Sequence, residues 1–138
     1  MTNKELFLQA LKARKYSYSP YSNYRVGAAL LCSDGTLFTG CNIENAAFGP
    51  SICAERTAFA KAVSSGYEHF SAIAIAGGKA ENEGSDLCTP CGVCRQVMRV
   101  FCSPDFKIIC GTADATWENC DLTEYSLEQL LPHSFILE

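Results

Sequence analysis

Apolar positions run along this chain in two rhythms, one helical and one extended. Leu6, Ala10 and Leu11 fall at helical spacing behind Thr2 and Asn3, residues that cap a helix start; they predict a first helix that ends before the Tyr/Ser/Pro cluster of residues 16–23. Segments 25–32 (RVGAALLC) and 36–42 (TLFTGCN) flank Ser33-Asp34-Gly35, a short polar turn whose glycine can take positive φ, and so predict a β-hairpin. Segment 53–65 is rich in strong helix formers and stops at Gly66, with Pro50 and Ser51 at its entrance, which predicts a second helix. Residues 70–76 (FSAIAIA) read as a strand buried on both faces, and residues 77–86 (GGKAENEGSD) as a polar, mobile loop. Pro90 opens a third helix over 91–101, since a helix's first turn tolerates proline. Short strands follow over 107–111 and 115–122, and Ser126 with Gln129 forms a capping box for a short helix that ends at Pro132. With neither repeat nor linker, this alternation predicts one α/β domain over residues 1–138, a sandwich around a mixed sheet.

Composition narrows the function. With 48% hydrophobic and 19% charged residues in 138, the chain has enough apolar surface for a core. No apolar run reaches the roughly 20 residues of a membrane span, and residues 1–10 lack the basic start and apolar stretch of a signal peptide, so a soluble, cytoplasmic protein is expected. Net charge is -4 and no basic run is clustered in sequence, which argues against nucleic acid and for a small-molecule partner. The nine cysteines are odd in number and follow no secretion signal, so metal ligation plus free thiols fits better than a disulfide framework. Cys32, Cys41, Cys102, Cys110 and Cys120 lie in apolar or strand-like contexts and are expected in the core. His69 and His133 have no partner at ligand spacing and are expected at the surface.

The chemistry concentrates in two short segments. Cys91 and Cys94 form a CxxC at a predicted helix start, which alone suits half of a structural zinc site, a redox pair or a coincidence. A zinc-ribbon-like set of Cys88, Cys91 and Cys94 is disfavoured because Pro90 is better placed to start a helix. Cys53-Ala54-Glu55, at the second helix start, adds a third thiolate and a carboxylate. Three protein ligands leave a zinc ion an open position for water, and Glu55, not itself a ligand, is placed to move protons. Two helix N-termini, with Arg56 and Arg95 as candidate donors to the thiolates, would offset the negative charge.

CAE followed by PCxxC resembles the zinc deaminases. With SPYSNYRVGAALL, CNIENAAFGPSICAERTAFAKAV, TPCGVCRQVM and LLPHSF in order, nearly the whole chain is similar to the cytidine deaminase family of the small homotetrameric zinc type. That resemblance implies a three-layer α/β/α sandwich around a mixed five-stranded sheet and one Zn2+ per subunit. It implies hydrolysis of cytidine and deoxycytidine to uridine and deoxyuridine with release of ammonia, a step of pyrimidine salvage. Zinc would activate water for attack on C4, and Glu55 would pass protons to N3 and the leaving amine. Asn42 and Glu44 would hold the ribose hydroxyls, and Tyr24 would pack on the pyrimidine. The Ala54 N–H would meet the base carbonyl, the Thr89 carbonyl the exocyclic amine, and Phe135 would enter a neighbouring subunit's site within a homotetramer. Tyr24 stands where the family usually has Phe, Phe48 where it often has Tyr, and Val100 where a glutamate is common. The alternatives are a non-catalytic structural zinc module, a CxxC thiol oxidoreductase and a deaminase of a modified nucleoside; the intact NIENA stretch favours an unmodified ribose.

Overall fold

Thr2 starts the first helix, α1 (Asn3–Arg14), through a reciprocal capping box: its hydroxyl accepts from the Glu5 N–H at 3.1 Å, and the Glu5 carboxylate accepts from the Thr2 N–H at 3.0 Å. In the computed structural model, which describes residues 1–137, the hairpin follows as β1 (Tyr24–Cys32) and β2 (Leu37–Cys41). Gly35 sits in its turn at φ 93, as the sequence requires. β3 (Phe70–Lys79) joins β1 antiparallel, β4 (Lys107–Ala113) joins β3 parallel, and β5 (Cys120–Ser126) joins β4 antiparallel. The five strands form one mixed sheet in the order β2-β1-β3-β4-β5. Three more helices complete the chain: α2 (Ala54–Ser64), α3 (Gly92–Phe101), which makes the crossover between the parallel strands, and α4 (Leu127–Leu130).

Strand alternation sorts the core into two layers. Ala72, Ala74 and Ala76 of β3 face α1, where their small side chains admit Leu6, Phe7, Ala10 and Leu11. Ile73 and Ile75 point the other way, into a core with Phe59 of α2 and Met98 of α3. The result is the expected α/β/α sandwich, in which each fully buried large side chain contributes roughly 1.5–3 kcal/mol. Two glycines permit the close approach of helix to sheet. A Cβ on Gly27 would lie 2.1 Å from the Ala10 carbonyl oxygen, and one on Gly40 would lie 2.5 Å from that of Ala54, so Gly40 lets the start of α2 settle on the hairpin.

Four expectations change. Residues 77–86 are not a free polar loop: β3 runs on to Lys79, Asp86 pairs back to Gly77, and the buried Ser85 hydroxyl accepts from the Gly77 N–H at 3.0 Å. Buried Arg14 ties the same segment down through the carbonyls of Lys79, Asn82 and Gly84. The last strand lies at 120–126 and not at 115–122, because the Asp114 carboxylate gathers Thr116 and Asn119 into a turn first. Pro90 precedes α3 without entering it, and Cys91 is the N-cap. Cys32, Cys102 and Cys110 are buried, but Cys41 and Cys120 are only half-buried at strand ends. His69 and His133 are exposed. No helix among the described residues is long and apolar enough to cross a membrane.

Candidate metal centre and active site

Two helices point their N-termini at one place. Cys53 caps α2 and Cys91 caps α3 with extended backbones, yet neither side chain makes a capping hydrogen bond, so both sulfurs are free for another partner. Cys94, in the first turn of α3, completes a group whose sulfur atoms all lie within 4.8 Å of one another. Cys53 Sγ and Cys91 Sγ are 3.7 Å apart. Two sulfurs bound tetrahedrally to zinc at ~2.3 Å would be about 3.8 Å apart, so the donor set suits that ion in both chemistry and spacing. No fourth Cys, His, Asp or Glu joins the group among the described residues.

The surroundings offset the charge of three thiolates. Each helix N-terminus contributes the equivalent of roughly half a positive charge. Arg56 Nη2 donates to Cys53 Sγ at 3.5 Å. Hydrogen bonding from Cys94, and then from Arg56, holds the Cys53 thiol well below its usual range, while the same bond and burial push the Cys94 thiol up. Glu55 lies beside them at 4% exposure. Burial, reinforced by the Cys53 charge, pushes its carboxyl up to about 7. A carboxyl at that value both gives and takes a proton near neutrality.

These groups open on a cavity of about 550 Å3, whose walls include Asn42, Glu44, Cys53, Ala54, Glu55 and Thr89. Beyond the hairpin, Asn42 is stitched into the backbone: its Oδ1 accepts from the Val26 N–H at 2.9 Å and the Ser17 hydroxyl at 2.5 Å, and its Nδ2 donates to the Tyr24 carbonyl at 2.9 Å. One amide N–H is left over. Glu44 Oε1 accepts from the N–H groups of Tyr21 and Ser22, both at 3.1 Å, and its Oε2 from the Ser22 hydroxyl. The Ser22 hydroxyl bond, first among these, holds the carboxyl below its ordinary range, leaving an oriented carboxylate at the cavity wall. An amide donor next to a carboxylate acceptor is a pair suited to vicinal hydroxyls.

Residues 1–111 match the family pattern of the cytidine and deoxycytidylate deaminase zinc-binding region. The chain belongs to this deaminase family. A cytidine deaminase of Sporosarcina psychrophila is 43% identical over 138 residues, covering 100% of this chain and 94% of the relative. A probable cytidine deaminase of Dictyostelium discoideum is 43% identical over 134 residues, 94% of this chain and 80% of the relative. The crystal structure of a Burkholderia pseudomallei cytidine deaminase superposes with a TM-score of 0.83 at 40% identity, over 98% of this chain and 100% of that one. That of a Mycobacterium tuberculosis cytidine deaminase gives 0.80 at 31% identity, over 99% of each chain. The three-layer sandwich and the zinc-binding character of the family therefore hold for this chain.

Within this deaminase fold some sequence-selected residues stand elsewhere. Arg95 does not reach the sulfurs: Nε donates to the Pro90 carbonyl at 2.7 Å and Nη1 to the Leu130 carbonyl at 2.6 Å, so it fixes the turn before Cys91 and clamps α4. Tyr24 is outside the cavity lining, against Cys88 and beneath Gly77, where a Cβ would fall 2.9 Å from Cys88 Sγ and 3.2 Å from the Tyr24 ring. Phe135 is 68% exposed and also outside the lining, its carbonyl accepting from Gln96 Nε2 at 3.2 Å. Sequence reasoning did not place Val26, Ile52 or Val93 in the cavity wall, nor give Cys88 a role there. Ile52 and Val93 stand directly before Cys53 and Cys94, and Cys88 three residues before Cys91, which are usable signals; nothing local marks Val26.

Proposed function

We propose that this protein hydrolytically deaminates cytidine and deoxycytidine, releasing ammonia, with Cys53, Cys91 and Cys94 holding one zinc ion and Glu55 moving the protons. The observation that carries this reading is a carboxyl at 4% exposure beside three converging sulfurs, at the base of a cavity of about 550 Å3. Zinc, when bound, supplies Lewis-acid activation of water. Glu55 takes one proton from water and delivers it to N3 of the base, then takes the second from the hydroxyl formed on C4 and delivers it to the departing amine, so that both protons of the water are accounted for. The Ala54 N–H, at the start of α2, binds the base carbonyl, and the Thr89 carbonyl accepts from the exocyclic amine. Asn42, through its remaining N–H, and Glu44, through its oriented carboxylate, hold the ribose hydroxyls. Tyr24, through Cys88, sets the depth of the base pocket.

Residues 1–138 act in this reading as one domain that assembles into a homotetramer. Phe48 at 77%, Phe135 at 68% and Val100 at 64% exposure offer apolar surface that contact with other copies would cover. Phe135 would then stack on the base in a neighbouring subunit's site. Nine free cysteines suit a reducing compartment, consistent with pyrimidine salvage in the cytoplasm. A non-catalytic zinc staple is less well supported, since it needs a fourth protein ligand and the described residues gather three. The test is ultraviolet loss from cytidine and deoxycytidine, with ammonia release, by purified zinc-loaded protein. Absence of turnover with both nucleosides, at full zinc occupancy, overturns the proposal.

A further inference from the structure

Arg14 and Lys15 end α1 and Arg25 lies in β1, a dispersed set in a chain of net charge -4. The fold gathers them around a second cavity, of about 420 Å3, in the layer formed by α1, with Asn82, Glu83 and Trp117 among its walls. Arg14 is only 5% exposed. Its guanidinium donates to the carbonyls of Arg25 at 3.0 Å, Asn82 at 2.6 Å, Gly84 at 2.9 Å and Lys79 at 2.7 Å. Carbonyl oxygens satisfy the N–H groups but bring no formal charge, so the buried cation keeps its field. Burial first, and then the neighbouring Arg25 charge, hold the Arg14 guanidinium below its usual range, against the opposing influence of Tyr24 and Asp86. Among the described residues Lys107 and Glu124 form the one ion pair, so Arg14, Lys15 and Arg25 make no direct salt bridge, although the Asp86 carboxylate lies near the Arg14 guanidinium.

Trp117 forms the opposite wall under restraint. Its backbone is left-handed at φ 64, a conformation that bulky residues keep only where their surroundings impose it. Its N–H donates to the Asp114 carbonyl at 3.1 Å, and its Nε1 to the Glu83 carbonyl at 2.7 Å. Lys15 Nζ lies 4.9 Å from the ring centroid, so the ammonium rests on the aromatic face with no carboxylate partner. Glu83, the acid in the wall, is exposed and contributes its main-chain carbonyl to the tryptophan.

We propose that this cavity binds a phosphate-bearing anion, with Lys15 and Arg25 as its direct partners, Arg14 as the fixed positive charge behind them and Trp117 as the wall. Its volume admits ligands from pyrophosphate to a nucleoside triphosphate. In a protein whose overall charge repels such anions, a local cluster of unpaired cations sets where one enters. The ligand would lie behind the strand whose Tyr24 carbonyl and Val26 N–H hold Asn42.

Trp117 is the only tryptophan in the chain, so its fluorescence reports on this cavity. Zinc-loaded full-length protein is titrated with inorganic pyrophosphate, with cytidine triphosphate and with cytidine. The expected result is a saturable change with pyrophosphate, triphosphate or both, weakened by salt and by about tenfold in Arg25→Gln. Tighter binding of the triphosphate identifies a nucleotide ligand, and equal binding an inorganic one. Lys15→Met, altering a side chain at the surface, repeats the test should Arg25→Gln fail to fold. No saturable change with either anion at millimolar concentration, or affinities unmoved in both variants, overturns the proposal. So does displacement of the triphosphate by cytidine with no binding of pyrophosphate, since that places the anion in the sulfur-lined cavity.

Discussion

The two cavities, on opposite layers of one sheet, are built by different means. Around the sulfurs, each helix start brings several functional groups in consecutive residues: Cys53, Ala54, Glu55 and Arg56 from α2, and Cys91 and Cys94 from α3. Around Trp117, each element brings one or two groups, and no short segment would mark the place. Local backbone geometry builds the first, because a helix N-terminus orients an N-cap and a first-turn side chain together. The second exists only through long-range packing of α1 on β1, which Gly27 permits. Disturbing the first is therefore expected to cost chemistry, and disturbing the second to cost stability or anion binding.

The largest expected effect tests this division at Glu55. Glu55→Gln should retain zinc by metal analysis yet lose about 10³-fold or more of its cytidine turnover, as for loss of a general acid–base group. Turnover within tenfold of the parent protein would remove Glu55 from the proton-moving role. Arg14→Met tests the opposite layer: four carbonyls lose their donor at a buried position, and denaturant unfolding should show a loss of about 3 kcal/mol. At a temperature where that variant is folded, its zinc content should match the parent's. A smaller effect is expected at Glu44→Gln, which would weaken the proposed acceptance from sugar hydroxyls: KM for cytidine should rise about tenfold with kcat less affected. Least of all, Phe48→Tyr adds one hydroxyl at an exposed wall and should change KM by less than about threefold; a larger shift would show that another chain covers this position.

The same contrast accounts for what the sequence made legible. The capping residue Thr2, the capping box at Ser126, the glycine turn at residue 35 and the Ile/Ala alternation of β3 are local signals, and the elements they predict are present. The Cys53, Glu55 and CxxC segments were readable for the same reason, as motifs within one turn of a helix. Residues 77–86 misled because their polarity is satisfied by Arg14, more than sixty residues earlier in the chain. The last strand was misplaced because Asp114, Thr116 and Asn119 close a turn through side-chain bonds that hydrophobic periodicity does not register. Arg95 beside a metal-ligand candidate suggested a bond to sulfur, yet its reach to Leu130 depends on where α4 docks. Cys88 escaped notice as a cavity residue because its partner Tyr24 is distant in sequence.

In the proposed reading Asn42 carries two duties with one side chain, and this constrains how the pocket can diverge. Its amide joins the Val26 N–H and the Tyr24 carbonyl, bridging the end of one hairpin strand to the start of the other. A substitution that retuned sugar selectivity at Asn42 would also unlatch the hairpin, so adaptive routes to new nucleosides are closed there. Glu44, held by main-chain N–H groups and a serine of a neighbouring loop, is separable from the sheet. Directed evolution for altered sugars should accordingly accumulate its early changes at Glu44 and Ser22, leaving Asn42 untouched.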